Sequence, residues 1–265
     1  MAMLRKMISP FVLRRLKKDV LRDLPDKIEE NTMTRLEGEQ RELYEAQAQA
    51  LKLTLENQSE EEFRQSKITV LAQLTRLRQI CCDPALVYEG YRGPAAKVDL
   101  CMEMVESGME GGHKMLLFSQ FTSMLEILEA RLQVAGIAYF KLTGATPKEE
   151  RIRLVEAFNR EDSQVPLFLI SLKAGGTGLN LTAADMVLHF DPWWNLAAQN
   201  QATDRAHRIG QNHVVNVYKL IAKDTIEENI LRLQERKAQL ADQVLSGEGI
   251  GTGTFSREEL LEILG

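Results

Sequence analysis

The stretch PLFLISLKAGGTGLNLTAADMVLHFD, residues 166–191, decides the fold class of this 265-residue chain. It holds two short apolar runs, PLFLIS and MVLHFD, on either side of a glycine-rich turn. Three more such runs, KMLLFS, AYFKL and VNVYKLI, occur in the same part of the chain, and amphipathic helical segments lie between the runs at 97–108, 121–135, 147–160 and 195–207. Continuous apolar strands that alternate with helices are typical of a parallel sheet flanked by helices. The sequence therefore predicts an α/β lobe with five strands.

The first third of the chain has a helical pattern instead. EGEQRELYEAQAQALKLTLEN and SEEEFRQSKITVLAQLTRLRQICCDP predict two long helices, preceded by a short candidate strand at 28–34. Beyond the α/β part, 225–245 predicts a long helix, SGEGIGTG a flexible joint and SREELLEIL a terminal helix. We therefore expect a helical brace region at 1–95, the α/β lobe at 96–223 and C-terminal helices at 224–265.

The composition indicates an intracellular globular protein. Hydrophobic residues make up 44% and charged residues 27% of the chain, and no run of about 18 uncharged apolar residues could span a membrane. The amino terminus lacks the apolar core of a signal peptide. The three cysteines lack metal-binding or redox spacing, so we expect no disulfide and no metal. The predicted location is cytoplasmic, nucleoid-associated in a prokaryote, or nuclear in a eukaryote.

The net charge of −5 conceals an uneven distribution. Residues 1–24 carry +5 and the remaining residues −10, so a polyanion would have to bind local patches. Within this region, 11–22 predicts a helix with an apolar stripe and a basic face. Taken alone, such a basic face is most simply a solvated helix surface.

Ligand sites in parallel α/β sheets lie at the carboxyl ends of the strands. One such segment is LKAGGTGLNL, in which Gly175, Gly176 and Gly178 allow close approach to a phosphate and Lys173 supplies a charge. A dinucleotide fingerprint fits poorly, because Leu181 stands where its third glycine would be. A purely structural turn is an equal alternative.

The segment QATDRAHRIGQ, residues 201–211, is a stronger signal. If 195–208 is helical, Gln201, Arg205 and Arg208 share one face and present an amide and two guanidinium groups, which suits phosphate. The alternative is a surface ion-pair cluster with Asp204. Because the chain has no GxxxxGK[ST] loop, these arginines would form only half of a nucleotide site.

Six segments, in order, are closely similar to the second half of the Swi/Snf-type DNA-dependent ATPases of helicase superfamily two. They are SPFVLRRLKKDVLRDLPDK, LTRLRQICCDP, KMLLFSQFTSMLEILE, KLTGATPKEERIRLVEAFN, FLISLKAGGTGLNLTAADMVLHFDPWWN and QATDRAHRIGQ. The resemblance implies the second RecA-like lobe of a two-lobe motor whose first lobe lies elsewhere in the parent chain. It also implies ATP and Mg²⁺ bound mainly by that first lobe, with none expected in this chain alone.

The resemblance assigns roles to individual residues. Arg205 and Arg208 match arginine fingers, Gln201 matches the glutamine that opens their motif, and Gly178 joins them as a nucleotide-binding residue. The residues that match motifs contacting the DNA backbone are Ser119, Gln120, Thr143, Gly144, Lys173, Gly175, Gly176 and Trp194. For Trp193 we favour packing, and His207 is expected to orient its neighbours or contact the other lobe. The helix at 11–22 matches an element that braces the lobes.

The implied partners are double-stranded DNA, the first lobe and a DNA-bound protein substrate. Two other functions stay open, a non-catalytic protein-interaction module and an RNA helicase lobe. The motifs at strand ends disfavour the interaction module, which would not need them. DRAHRIGQ disfavours the RNA helicase lobe, because this segment resembles the Swi/Snf-type remodellers and not the RNA helicases. The short helical insert resembles bacterial or archaeal members.

Overall fold

The computed structural model describes residues 24–175, 178–235 and 256–264. In this part of the chain, six strands form one parallel sheet, so the expected α/β class is confirmed. The sheet contains the five strands predicted for the lobe and the candidate strand at 28–34. The strands are β1 Lys27–Arg35, β2 Met115–Ser119, β3 Tyr139–Leu142, β4 Leu167–Ser171, β5 Met186–His189 and β6 Val215–Lys223. Their spatial order is β1-β6-β5-β2-β4-β3.

Helices flank the sheet and form the subdomain beside it. They are α1 Gly38–Asn57, α2 Glu60–Cys82, α3 Ala96–Glu110, α4 Thr122–Val134, α5 Lys148–Asn159, α6 Leu196–Thr203, α7 at 226–235 and α8 Arg257–Leu264. A short helical turn, Leu172–Gly175, follows β4. The two long N-terminal helices and the terminal helix are therefore confirmed. The predicted helix at 225–245 is seen as far as residue 235, and the rest of it lies outside the described residues.

The candidate strand at 28–34 is part of the main sheet. β1 pairs with β6 along its whole length, from Lys27 opposite Val215 to Arg35 opposite Lys223. The sheet of the α/β lobe thus begins within the region predicted as a helical brace. The division of the chain at residues 95 and 96 stays a prediction, and it does not follow the edge of the sheet.

Three apolar cores hold the described residues together. The central strands β2, β4 and β5 are buried on both faces, which explains their continuous apolar sequences. One face of the sheet packs against α3 and α4. The other face packs against α5, α6 and the segment 179–184. A third core joins α1 and α2 to α7 and α8, so that the C-terminal helices complete the helical subdomain.

A buried ion pair connects the first turn of α3 to α7. The Nζ atom of Lys97 lies 2.8 and 2.9 Å from the two carboxylate oxygens of Glu227, and both side chains are fully buried. Glu227 also accepts a hydrogen bond of 2.9 Å from the Ala222 amide at the end of β6. Burial is the largest effect on Lys97 and opposes its charged form, but the charge of Glu227, smaller contributions from Cys82 and Asp191, and the hydrogen bond to Glu227 together outweigh it and raise the lysine pKa to about 12.

Two predicted segments lie entirely on residues that the structure does not describe. The basic segment at 11–22 and the glycine-rich joint at 246–253 lie outside the described ranges. In those ranges, each helix is too short or too polar to cross a lipid bilayer. The three cysteines, Cys81, Cys82 and Cys101, are buried free thiols.

Candidate functional site

The predicted site residues form two groups in different places. The first group follows the carboxyl ends of strands at one edge of the sheet and comprises Ser119, Gln120, Thr143, Gly144, Lys173, Gly175 and Trp194. The second group comprises Gly178, Gln201, Arg205 and Arg208, and belongs to segments on the α5 and α6 side of the sheet. Gly176 lies outside the described residues. We call the first group the strand-end loops. We call residues 204–211, which carry both arginines of the second group, the arginine loop.

Asp191 joins two of the strand-end loops. It follows β5, its side chain is fully buried, and one carboxylate oxygen accepts a hydrogen bond of 2.5 Å from the Ser119 hydroxyl. The other oxygen accepts from the Gln120 side-chain amide, and the Gln120 backbone amide also donates to Asp191 at 3.3 Å. Ser119 is only 1% exposed. Its hydroxyl is therefore engaged inside the protein, and the half-buried Gln120 is the more accessible of the two.

A second strand-end loop, residues 143–146, is stabilised by an arginine from α5. Arg151 donates to the carbonyl oxygens of Thr143 and Thr146, both at 2.9 Å. The Thr143 amide donates to the Thr146 hydroxyl at 3.0 Å, which closes the turn. Gly144 is exposed at its tip, and a side chain there would meet no atom within 4 Å. The loop thus presents backbone to solvent next to Gly144.

Lys173 supplies positive charge at the same edge. It lies in the short helical turn after β4, and its side chain is exposed.

The two tryptophans after β5 pack into different apolar cores. Trp193 packs against the α5 and α6 side of the sheet, as expected, whereas Trp194 packs against the helical subdomain.

The structure contradicts the prediction of one helix face for Gln201, Arg205 and Arg208. The helix α6 begins after Asn195, whose side chain accepts a hydrogen bond from the Ala198 amide, and it ends at Thr203. Beyond this point the chain makes tight turns. Gln201 and Arg208 are exposed, whereas Arg205 is only 7% exposed. The three side chains therefore lie on one segment but not on one helical face.

Tertiary hydrogen bonds explain why the helix ends early. The carbonyl oxygen of Arg205 accepts from the Leu181 amide at 2.9 Å instead of from a helical partner four residues later. The carbonyl oxygen of Ala206 accepts from the Gln211 side chain at 3.2 Å. Because these two carbonyl oxygens bond to other partners, they do not accept the hydrogen bonds that would continue the helix. The arginine loop therefore runs beside the segment 179–184.

The arginine loop lies against the segment that follows the glycine turn. Besides the contact between Arg205 and Leu181, a guanidinium nitrogen of Arg208 lies 3.5 Å from the Leu179 carbonyl oxygen. Gly178, at the start of this segment, is exposed and has a φ angle of +54°, which favours glycine. Two arginines and an exposed glycine turn are thus held together.

The charges of the two arginines act on one another. Burial lowers the pKa of Arg205, the positive charge of Arg208 lowers it further, and Asp204 partly opposes this effect. An anionic ligand would relieve the repulsion between the two guanidinium groups, and their planar donors match phosphate oxygens. The residues present therefore fit a polyphosphate.

Gln211 is a site residue that the sequence reasoning missed. It is 4% exposed, and its amide nitrogen donates to the carbonyl oxygens of Ala184 at 2.7 Å, Thr182 at 3.2 Å and Ala206 at 3.2 Å. Its side-chain oxygen accepts from the His213 amide at 2.8 Å. Gln211 thus fixes the end of the arginine loop to the segment before β5. The only signal in the sequence is that Gln211 is the last residue of QATDRAHRIGQ, residues 201–211.

Two histidines also hold this loop in place. His189 is buried at the end of β5, and its Nε2 atom lies 2.8 Å from the Thr203 hydroxyl at the end of α6. Burial lowers the pKa of His189 to about 3, so the ring is neutral. The Nε2 atom of His207 lies 2.8 Å from the Pro25 carbonyl oxygen, just before β1. His207 therefore contacts its own lobe at the residue that follows the basic N-terminal region.

An open cleft of about 780 Å³ lies beside the arginine loop. One wall is α5, with Lys148, Ile152 and Val155, and the other is the segment that contains Gly178 and Leu179. Leu179 is also the residue whose carbonyl oxygen lies near Arg208. Leu179 is therefore shared by the cleft wall and the contact with Arg208.

Comparison with known proteins identifies the same parts. Residues 96–210 match the helicase conserved C-terminal domain, and residues 1–86 match the SNF2-related domain. The putative ATP-dependent helicase/translocase YwqA of Bacillus subtilis is 41% identical over 268 residues, which cover 98% of this chain and 28% of that protein.

Two solved structures from Sulfolobus solfataricus are also similar. The C-terminal domain of its SWI2/SNF2 ATPase has a TM-score of 0.71 and 31% identity, covering 90% of this chain and 98% of that one. The SWI2/SNF2 ATPase core in complex with double-stranded DNA has a TM-score of 0.70 and 35% identity, covering 93% of this chain and 52% of that one.

The parallel sheet and these matches define a RecA-like lobe of helicase type, the C-terminal one of its motor. The chain belongs to the SWI2/SNF2 ATPases of helicase superfamily two. The expected family and its likeness to bacterial and archaeal members are confirmed. The chain spans about a quarter of the length of the curated relatives it matches, 25% of one and 28% of another.

Proposed function

We propose that this chain is the second motor lobe of an ATP-dependent translocase that moves along double-stranded DNA. Its arginine loop would act on ATP held mainly by the first lobe of the parent protein. The observation that carries the proposal is the juxtaposition of Arg205 and Arg208 with the segment from Gly178 to Leu181. This arrangement places the exposed Arg208 and the exposed Gly178 beside the largely buried Arg205.

The two arginines would have different tasks. Arg208 is exposed and can reach a nucleotide bound by another lobe, so it is the better candidate for the finger that contacts the transferring phosphoryl group. Arg205 is largely buried and would add a second positive charge close to that of Arg208. Positive groups placed before the reaction stabilise the charge that develops on the phosphoryl oxygens in the transition state. Mg²⁺, which travels with ATP, neutralises part of the same charge when bound.

The strand-end loops would hold the DNA backbone. Gln120, the exposed turn at Gly144 and the exposed Lys173 lie at one edge of the sheet. Amides, exposed backbone and a single cation bind phosphates without reading the base sequence, as a translocase requires. The nucleotide and the DNA would thus occupy different surfaces of one rigid sheet, so that movement of this lobe during hydrolysis also moves its DNA contacts. A DNA-bound protein would be the object displaced or remodelled.

The proposal is tested on the full-length parent protein. We expect ATP turnover that rises strongly with duplex DNA, together with displacement of a third strand from a triplex as the motor advances. The 265-residue chain alone should hydrolyse no ATP, because it lacks a GxxxxGK[ST] loop. Turnover that responds to RNA duplexes but not to DNA would favour the RNA helicase alternative. Absence of any nucleotide turnover in the full-length protein would favour the interaction module.

A further inference from the structure

A buried arginine of the helical subdomain reaches the strand-end loops. Arg78 lies near the end of α2 and is 3% exposed. Its guanidinium group donates to the Pro192 carbonyl oxygen and lies 3.9 Å from the Asp191 carboxylate. The same group lies 5.7 Å from the centre of the Phe121 ring and 5.6 Å from that of Trp194. It is therefore placed between residues that follow β2 and residues that follow β5.

Asp191 extends this contact to the predicted DNA-binding side chains. The carboxylate that faces Arg78 is the one that accepts hydrogen bonds from Ser119 and Gln120. One charged side chain from α2 thus contacts both the shared carboxylate and the aromatic rings on either side of it. A shift of α2 would move the two strand-end loops together.

The arrangement is poorly suited to stability alone. Burial of a charge is costly, and apolar side chains of similar volume often stabilise such a site as well or better. The Nε atom of Arg78 is buried without a hydrogen-bond partner among the described residues, so the guanidinium group is not fully satisfied. Only arginine has a planar guanidinium group that can donate hydrogen bonds within its plane while aromatic rings pack around it.

We propose that Arg78 is a positioning residue that sets the placement of the strand-end loops for duplex DNA. It would make the affinity for DNA depend on the helical subdomain, although Arg78 is too deeply buried to touch the duplex. The inference rests on the proposed function, because it assumes that the strand-end loops bind DNA.

The test measures ATP turnover of the full-length protein against the concentration of duplex DNA. For Arg78→Met we expect the DNA concentration that gives half-maximal stimulation to rise by about tenfold, with maximal turnover changed by less than about twofold. Arg78→Lys keeps the charge but loses the fork, so its DNA requirement should also rise, by about threefold. Arg76→Met is the matched control, because Arg76 lies on the same helix with an exposed side chain, and it should behave as wild type.

The outcomes separate the possibilities. An Arg78→Met protein that melts at a lower temperature but needs no more DNA than wild type would show a structural role only and overturn the inference. If Arg78→Met does not fold, Arg78→Lys decides, and an unchanged DNA requirement in that variant overturns the inference too. A wild-type protein that DNA does not stimulate would instead contradict the proposed function.

Discussion

The carbonyl oxygen of Arg205 accepts a hydrogen bond of 2.9 Å from the amide of Leu181, and this bond joins two segments that are separate in the sequence. One segment begins at Gly178 and leads to β5, and the other carries both arginines. Because the bond uses backbone atoms, it fixes the path of the chain at Arg205. The placement of the arginines therefore depends on the path of the whole loop, and residues that fix this path should matter for turnover.

Gln211 is the first such residue. Gln211→Leu would leave the carbonyl oxygens of Thr182 and Ala184 without this donor in a buried setting, which typically costs about 1 to 3 kcal/mol of unfolding free energy. We also expect lower DNA-stimulated turnover in the full-length protein, because the arginine loop loses its anchor. Urea denaturation and turnover measured on the same preparation check both effects. Gln133→Leu on the exposed side of α4 is the control, and equal losses in both variants would contradict the assignment.

His189 predicts a specific dependence of stability on pH. Its pKa is about 3 in the folded protein against the usual 6.5, so below about pH 6.5 the unfolded chain binds a proton that the folded chain does not. Stability from this group is therefore complete above pH 6.5 and falls as the pH drops toward 3, by about 1 to 2 kcal/mol between about pH 6.5 and pH 5. His189→Gln should unfold with a flatter pH profile over that range. An identical profile for wild type and variant would show that His189 titrates normally.

The buried pair of Lys97 and Glu227 predicts a strong non-additive effect. Glu227→Gln leaves a buried ammonium group without its partner charge and should cost about 3 to 5 kcal/mol of unfolding free energy. The double variant Lys97→Met with Glu227→Leu removes both charges, so it should be less destabilised than Glu227→Gln alone. Chemical denaturation of the three proteins tests this order. A double variant less stable than Glu227→Gln would show that the net contribution of the pair exceeds the cost of burying its charges.

The exposed charge of Lys173 should affect how the affinity for DNA depends on salt concentration. Each phosphate neutralised by a cation contributes about −0.9 to the slope of log affinity against log salt concentration. Lys173→Ala should therefore make this slope shallower by about 1, while the remaining binding stays independent of sequence. Arg64→Ala, on an exposed position of α2 far from the strand-end loops, removes the same charge and should leave the slope unchanged. Equal changes in both variants would indicate a general charge effect instead of a contact at Lys173.

The sequence predicted what depends on local patterns. Continuous apolar runs identified β2 to β6, and the helices α1, α2 and α8 followed from their periodicity. The sheet partner of β1 was not predictable, because residues 27–35 are mostly exposed and lack an apolar face, and β6 lies about 190 residues later in the chain. Regular spacing alone also suggested a helix through Arg208.

What the sequence could not predict are contacts made in the folded state. The Leu181 amide and the Gln211 side chain bond to the carbonyl oxygens of Arg205 and Ala206, which a helix continued beyond Thr203 would use for its own hydrogen bonds. The connection from Arg78 to Asp191 joins residues 113 positions apart, and neither carries a local signal of its partner. Burial of Ser119 was likewise invisible, since the same hydroxyl could have faced solvent.

Arg208 is proposed to act on ATP held by the other lobe. An arginine supplied to a phosphoryl-transfer site is typically worth about 10³ to 10⁵ in rate, whereas a surface arginine contributes little to either rate or stability. Arg208→Lys should restore little activity, because an ammonium group cannot reproduce the planar fork. Arg153→Ala, which removes an exposed arginine paired with Glu150 on α5, is the matched control.

The most direct measurement is DNA-stimulated ATP turnover and thermal stability of full-length Arg208→Ala, measured on one preparation beside Arg153→Ala. We predict that Arg208→Ala melts within about a degree or two of wild type and binds nucleotide with similar affinity, while its turnover falls by about three orders of magnitude or more. Arg153→Ala should match wild type in all three measurements. Turnover of Arg208→Ala equal to that of Arg153→Ala would contradict the finger assignment.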